Sequence, residues 1–244
     1  MTSLADIESL NTRFETASAQ ALLAYFLPKY ADAIALASSL GAEDQVLTDI
    51  VLKLNPKSRI FVLDTGRLHQ ETYDTMAASS EKYGFTYEVY FPKGDAVQDL
   101  VSKKGPNSFY ESVENRKECC FIRKVEPLNR ALSTCKVWIT GLRREQSVTR
   151  TDLKKIEWDD THGIIKLNPL ADWTTDQLWQ YINAEHVPYN KLHATGFPSI
   201  GCAPCTRPIN AGDDIRAGRW WWETPEQKEC GLHLKDGKLV RKNA

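Results

Sequence analysis

At 244 residues with 42% hydrophobic side chains, the chain is long enough for one sizeable α/β domain, or two small ones, around a real core. Lys plus Arg number 31 against 32 Asp plus Glu, and the formal charge of −1 excludes a global pull toward nucleic acid or anionic lipid, so any anion site is local. Met1 to Asp6 lacks the basic and apolar stretches of a secretory signal, and no run approaches the ~18 apolar residues of a membrane span. A cytoplasmic protein with no membrane partner is therefore expected.

Leu4 to about Phe26 carries helical apolar spacing, and Ala33-Ile34-Ala35-Leu36-Ala37 reads as a buried strand ending at Ser38, Ser39 and Gly41. A helix is predicted over Glu43 to Leu54, then a strand at Ile60-Phe61-Val62-Leu63 ending at Asp64-Thr65-Gly66. The alternation continues with a helix from His69 to Tyr83, a strand from Phe85 to Phe91, a helix near Lys117 to Leu132, and a strand at Val137 to Thr140 before Gly141. Repeated strand–helix units predict a doubly wound, mostly parallel sheet with helices on both faces. Ligands of such sheets sit beyond the carboxyl ends of the strands, where Ser38-Ser39, Asp64-Thr65-Gly66 and Gly141-Leu142-Arg143-Arg144 fall. A hairpin joining Ile156–Trp158 to Ile164–Lys166 and a capped helix from Thr174 to Asn183 come next. Apolar periodicity lapses after Arg207, so residues 1–206 are expected to form the folded domain and 207–244 a mobile tail.

Six cysteines carry the chemistry. Cys119-Cys120 and Cys202-Ala203-Pro204-Cys205 supply four thiols for one metal or iron–sulfur centre, and Cys230 stands apart as a reactive thiol or an incidental exposed one. Adjacent cysteines diverge by ~100° on a helix and to opposite faces on a strand. Both can reach one centre only if it is bulky or the backbone is distorted, which favours a cluster of several irons over one zinc; the plain alternative is one ligand and one buried cysteine. Cys135, beside a predicted strand, is assigned to the core. The loop Ser38 to Asp44 has no Walker A lysine and reads equally as a phosphate-receiving turn or as an ordinary βα turn with a serine cap. Lys124, Arg143, Arg144, Arg150, Arg216 and Arg219 form a group of cations whose members, taken singly, are ordinary surface residues.

Gly41-Ala42-Glu43-Asp44, Leu63-Asp64-Thr65-Gly66-Arg67, Cys119-Cys120 with Arg123-Lys124, Gly141 to Ser147, Cys202 to Arg207, Arg216 to Trp222 and Glu229 to His233 together resemble one family over nearly the whole chain. It is that of the assimilatory adenosine 5′-phosphosulfate reductases, relatives of the 3′-phosphoadenosine 5′-phosphosulfate reductases and, more distantly, of the ATP pyrophosphatases. The resemblance implies an adenine nucleotide alpha hydrolase-like fold. It further implies a [4Fe–4S] cluster on Cys119, Cys120, Cys202 and Cys205, with Cys230 as the nucleophile that takes the sulfonate and releases AMP. Reduced thioredoxin, a separate protein, then frees sulfite from the thiosulfonate.

Substrate binding is implied for Ser38, Gly41, Leu63, Thr65, Lys124, Gly141, Arg143, Arg144, Arg150, Arg216, Arg219 and His233. Leu40 departs from the family pattern, which often has serine there, so no hydroxyl contact to the nucleotide is carried over. Self-association into a homo-oligomer is compatible with this reading; a nucleic-acid partner is not expected. The rival readings are the same chemistry on the 3′-phosphorylated substrate, and a zinc-stabilised nucleotide-binding module without turnover.

Overall fold

The structure, a computed structural model, describes residues 4–146 and 152–224. Arg150, Cys230 and His233 lie outside the described residues. The described residues divide into two units: those within 1–62, 70–88 and 134–191 form the first, and those within 63–69, 89–133 and 192–224 the second.

The expected alternation is present, with the predicted elements shifted by a few residues. Helices α1 (Leu4–Phe14) and α2 (Ala19–Tyr30) precede β1 (Ile34–Ser38), α3 (Ala42–Leu54), β2 (Arg59–Leu63), α4 (Gln70–Tyr83) and β3 (Glu88–Tyr90). Then come α5 (Gly94–Lys104), α6 (Val113–Cys120), α7 (Glu126–Leu132), β4 (Val137–Ile139), β5 (Ile156–Asp159), β6 (Ile164–Leu167) and α8 (Thr175–Ala184). The strands form a six-stranded sheet in the order β3-β2-β1-β4-β6-β5. β1 runs parallel to β2 and β4, and β4 parallel to β6, while β5 and β6 form an antiparallel hairpin.

Three differences from the sequence reading have local causes. The single N-terminal helix is two helices, because the Ser18 hydroxyl accepts the Ala21 N–H and caps a new start. Helix α5, not anticipated, buries Leu100 from a face spaced Val97, Leu100, Val101. The strand expected over 85–91 is only three residues long, lying at the sheet edge. Helix α8 carries the predicted capping box between Thr174 and Gln177.

The core of the first unit is built where α2 (Leu22, Leu23, Phe26) and α3 (Val46, Leu47, Ile50, Val51) join the buried β1 and β4 side chains Ile34, Leu36, Val137 and Ile139. α3 is buried almost around its whole circumference, polar residues included. Its Asp49 accepts the Tyr83 hydroxyl at 2.9 Å, the Tyr181 hydroxyl at 2.6 Å and Lys53 Nζ at 2.7 Å. Three donors thus satisfy the oxygens of a carboxylate enclosed in the core. Burial of Cys135 agrees with its assignment to the core.

Candidate functional site

In the first unit, the crossovers leave β1 in one direction toward β2 and β3 and in the other toward β4 and β6, so β1 and β4 flank the topological switch point. The loops after these two strands are clipped by one carboxylate. Asp44 Oδ2 accepts the Ser39 N–H at 2.7 Å and the Ser39 hydroxyl at 2.6 Å, and Asp44 also takes a backbone hydrogen bond from Gly141. Burial raises the Asp44 carboxyl to about 6, against the pull of its Ser39 and Gly141 hydrogen bonds; the Glu43 charge adds to the rise. The Ser39 donors that the sequence offers to a phosphate are thus engaged by the protein's own carboxylate.

Ser38 uses its hydroxyl to accept the Leu40 N–H at 3.1 Å, and Gly41 caps α3. Leu40, at φ 62, buries its side chain in the core, so it makes no nucleotide contact of the hydroxyl kind. Arg143 is buried and committed to the protein: it pairs with Glu43 at 2.9 Å and Glu145 at 3.0 Å and donates to the Trp173 carbonyl at 3.1 Å. Arg144 donates to the Leu153 carbonyl at 2.9 Å.

The second unit contains all four expected ligand cysteines. Cys119 and Cys120 end α6, and the chain passes directly into a π-helical turn, Phe121–Val125, before α7. The adjacent pair itself stands in regular helix, Cys120 at φ −65 and ψ −39, and the wide turn begins at the next residue; turns of this kind cluster at functional sites. Cys202 and Cys205 sit on a tight 3₁₀ turn closed by the Cys205 N–H on the Cys202 carbonyl at 2.9 Å.

Three segments are tied together here. The Thr65 hydroxyl and Cys202 Sγ lie 3.2 Å apart, the Ala203 N–H donates to the Arg67 carbonyl at 2.8 Å, and Arg123 Nη1 donates to the Thr65 carbonyl at 2.6 Å. Asp64 steadies the turn by accepting the Gly66 N–H at 2.8 Å, with Gly66 at φ 70. Thr65, expected on the nucleotide, therefore gives its side chain to a cysteine. Leu63 ends β2 beside this loop.

The thiols influence one another. Burial pushes Cys205 up to about 12, with the charges of Cys202 and Cys120 adding and Lys124 and Arg219 opposing. Burial likewise raises Cys119, with Cys202 adding and Arg123 opposing. Cys202 is the exception: burial opposes its ionisation, yet Lys124, the Thr65 hydrogen bond, Arg219 and Arg123 together bring it below the usual thiol value. Among the described residues no three His, Cys, Asp or Glu side chains are grouped as a single metal ion would need. The donor chemistry, four mutually coupled thiols ringed by Lys124, Arg123 and Arg219, fits a larger, anionic cluster.

Residues 206–220 fold back on the cysteine turn. Thr206 bridges Arg219, the Arg207 N–H donates to the Gly218 carbonyl at 3.0 Å, and the Trp220 N–H donates to the Cys205 carbonyl at 3.1 Å. The boundary expected between 206 and 207 falls within this pairing, and 225–244 lie outside the described residues. Arg219 is buried, donating to the Ser199 hydroxyl and the Ile200 carbonyl, each at 3.3 Å, while Arg216 stands 6.0 Å from the Trp220 ring. Local sequence gave no sign of the ion pair that is most enclosed among the described residues, Arg116 with Glu223.

A mostly parallel sheet with its ligand loops at the switch point belongs to the nucleotide-binding α/β class. The chain is a member of the family described as phosphoadenosine phosphosulfate reductase domain, which matches residues 33–208. Curated relatives include the adenosine 5′-phosphosulfate reductases of Allochromatium vinosum, 54% identical over 84% of this chain and 80% of that protein, and of Burkholderia cepacia, 55% identical over 87% and 85%. Among solved structures, a phosphoadenylyl-sulfate reductase from Candida auris in a phosphate complex superimposes with a TM-score of 0.74 at 30% identity, covering 85% of this chain and 98% of that one. A Candida glabrata FMN adenylyltransferase shares the fold with a TM-score of 0.55 at 17% identity, covering 98% of this chain and 81% of that one. No helix among the described residues is long and apolar enough to cross a membrane.

Proposed function

We propose that this chain reduces adenosine 5′-phosphosulfate to sulfite and AMP in sulfate assimilation, in the cytoplasm, with reduced thioredoxin as its separate electron donor. The observation that carries the reading is the gathering of Cys119, Cys120, Cys202 and Cys205 under Lys124, Arg123 and Arg219 in a chain whose relatives at more than half identity are adenosine 5′-phosphosulfate reductases.

Cys119, Cys120, Cys202 and Cys205 would hold a [4Fe–4S] cluster. When bound, it supplies a fixed, delocalised charge close to the anion site, and the two electrons of the reaction come from a dithiol. Cys230 as thiolate attacks the sulfate sulfur; the new S–S bond forms as the S–O bond to the phosphate breaks, and AMP leaves with the electron pair. A thioredoxin thiolate then attacks the Cys230 sulfur and releases sulfite. The second thioredoxin thiol closes a disulfide and returns Cys230 as a thiol, so the dithiol is oxidised by two electrons and the sulfonate sulfur reduced by two.

An anionic nucleophile meeting an anionic substrate needs screening, and negative charge builds on the departing phosphate oxygen. Lys124, Arg219, Arg216, Arg150 and His233 would supply the positive field, worth most where water is excluded. Gly41, Ser38, Leu63 and Gly141 would offer backbone groups to the adenosine. The test is anaerobic turnover with adenosine 5′-phosphosulfate and reduced thioredoxin, assayed for sulfite and AMP, with iron and sulfide counted per chain. Sulfite in step with AMP, from protein holding about four irons, supports the reading; release of neither product from iron-loaded protein refutes it.

A further inference from the structure

We infer that Arg116 and Glu223 are a positioning pair for this reaction, fixing Trp220 and Arg219 in register with the cysteine quartet; the inference rests on the function proposed above. Arg116 lies on α6, one helical turn before Cys120, with a side chain only 1% exposed, and Glu223 is 2% exposed. Arg116 Nε donates to Glu223 Oε1 at 2.9 Å and Nη2 to Oε2 at 2.8 Å, across 107 residues of sequence. The same guanidinium sits 4.8 Å from the centroid of the Trp220 ring and hydrogen-bonds the Cys120 side chain. One planar group thus touches a ligand cysteine, a carboxylate and an indole.

A buried ion pair of this kind is poor evidence of stabilisation, since well-packed apolar residues often serve a fold equally well. Its distinctive property is geometry: the guanidinium fork accepts a carboxylate in one plane and one orientation. That plane sets the placement of Trp220, whose backbone takes a left-handed φ of 42, unusual for a bulky side chain. Arg219 stands 4.8 Å from the same ring centroid. Its guanidinium also fills the space beside Gly201, where a Cβ would come within 2.5 Å of Nη2. Arg219 is therefore trapped between the Trp220 ring and the segment leading into Cys202, and its charge acts on Cys202 and Cys205. Glu223 is the last buried residue of the described chain.

The experiment compares wild type, Glu223→Gln, Arg116→Lys and the double variant Arg116→Met/Glu223→Met, all purified anaerobically with the cluster loaded. Three quantities are read: iron per chain, the Kd for AMP, and the single-turnover rate of SO₃ transfer to Cys230 by intact mass at saturating substrate. The pair as a positioning device requires that iron and AMP affinity stay within twofold of wild type while transfer slows at least tenfold in Glu223→Gln. The double variant, which keeps the packing and loses the fork, must be slow as well; Arg116→Lys, which keeps the charge and loses the fork, takes its place should it not fold. Wild-type transfer in any folded, iron-loaded variant overturns the inference. So does loss of iron in step with loss of rate, because the pair would then serve the cluster alone. Absence of transfer in the wild type is a separate result: it removes the proposed function, and this inference with it.

Discussion

Gly141 lies so close to Asp44 that a Cβ built on it would stand 2.3 Å from the carboxylate Oδ1 and 2.9 Å from the Glu43 Cβ. A glycine with an ordinary backbone conformation is thus demanded here by space, at the point where the loops after β1 and β4 meet. Gly141→Ala forces the carboxylate off Ser39. It is expected to destabilise the protein by about 1–3 kcal/mol and to weaken AMP binding at least tenfold. Urea unfolding and AMP titration measure the two effects, and an unchanged affinity would show that the clip does not shape the nucleotide loops.

Asp44 gives a pH signature of known sign. Its carboxyl is raised from 3.8 to about 6 by burial, so the folded state holds the proton more tightly than the unfolded one. That contribution to stability is complete below about 4 and is lost as the pH rises through 6. Asp44→Asn cannot titrate, so the variant should gain on the wild type between pH 4 and 7, by up to about 3 kcal/mol. Urea midpoints at pH 4.5, 5.5 and 7 test this; a stability difference that does not change with pH contradicts it.

Arg143 distinguishes two roles. Its side chain is 4% exposed and bonded to Glu43, Glu145, Thr175 and the Trp173 carbonyl, so Arg143→Lys, which cannot reproduce the fork, should cost about 2–4 kcal/mol of stability. AMP affinity of the folded variant should change by less than threefold. A large loss of affinity with stability intact would place Arg143 on the substrate, as the resemblance implies.

Much of this architecture was legible in the chain. Apolar runs bounded by Ser38, Gly66 and Gly141 marked the strands, and the Thr174–Gln177 box marked a helix start. The side-chain geometry of Cys119 and Cys120 called for either a bulky centre or a distorted backbone; the pair lies in regular helix, and a π turn begins directly after it. The contacts that stayed hidden are non-local. Nothing near Thr65 says that its hydroxyl faces Cys202, 137 residues away, and nothing near Arg116 names Glu223. The loop Ser38 to Asp44 read equally as a phosphate-receiving turn or an ordinary βα turn, because the carboxylate that engages the Ser39 donors depends on how α3 begins.

The central claim is covalent chemistry at Cys230, and the most direct measurement is the intact mass of anaerobically purified protein, denatured after incubation with adenosine 5′-phosphosulfate and no thioredoxin. The proposed mechanism requires a gain of one SO₃ in the wild type, its absence in Cys230→Ser, and its loss on adding reduced thioredoxin. An unmodified wild type with the substrate intact, or equal modification of Cys230→Ser, would contradict it.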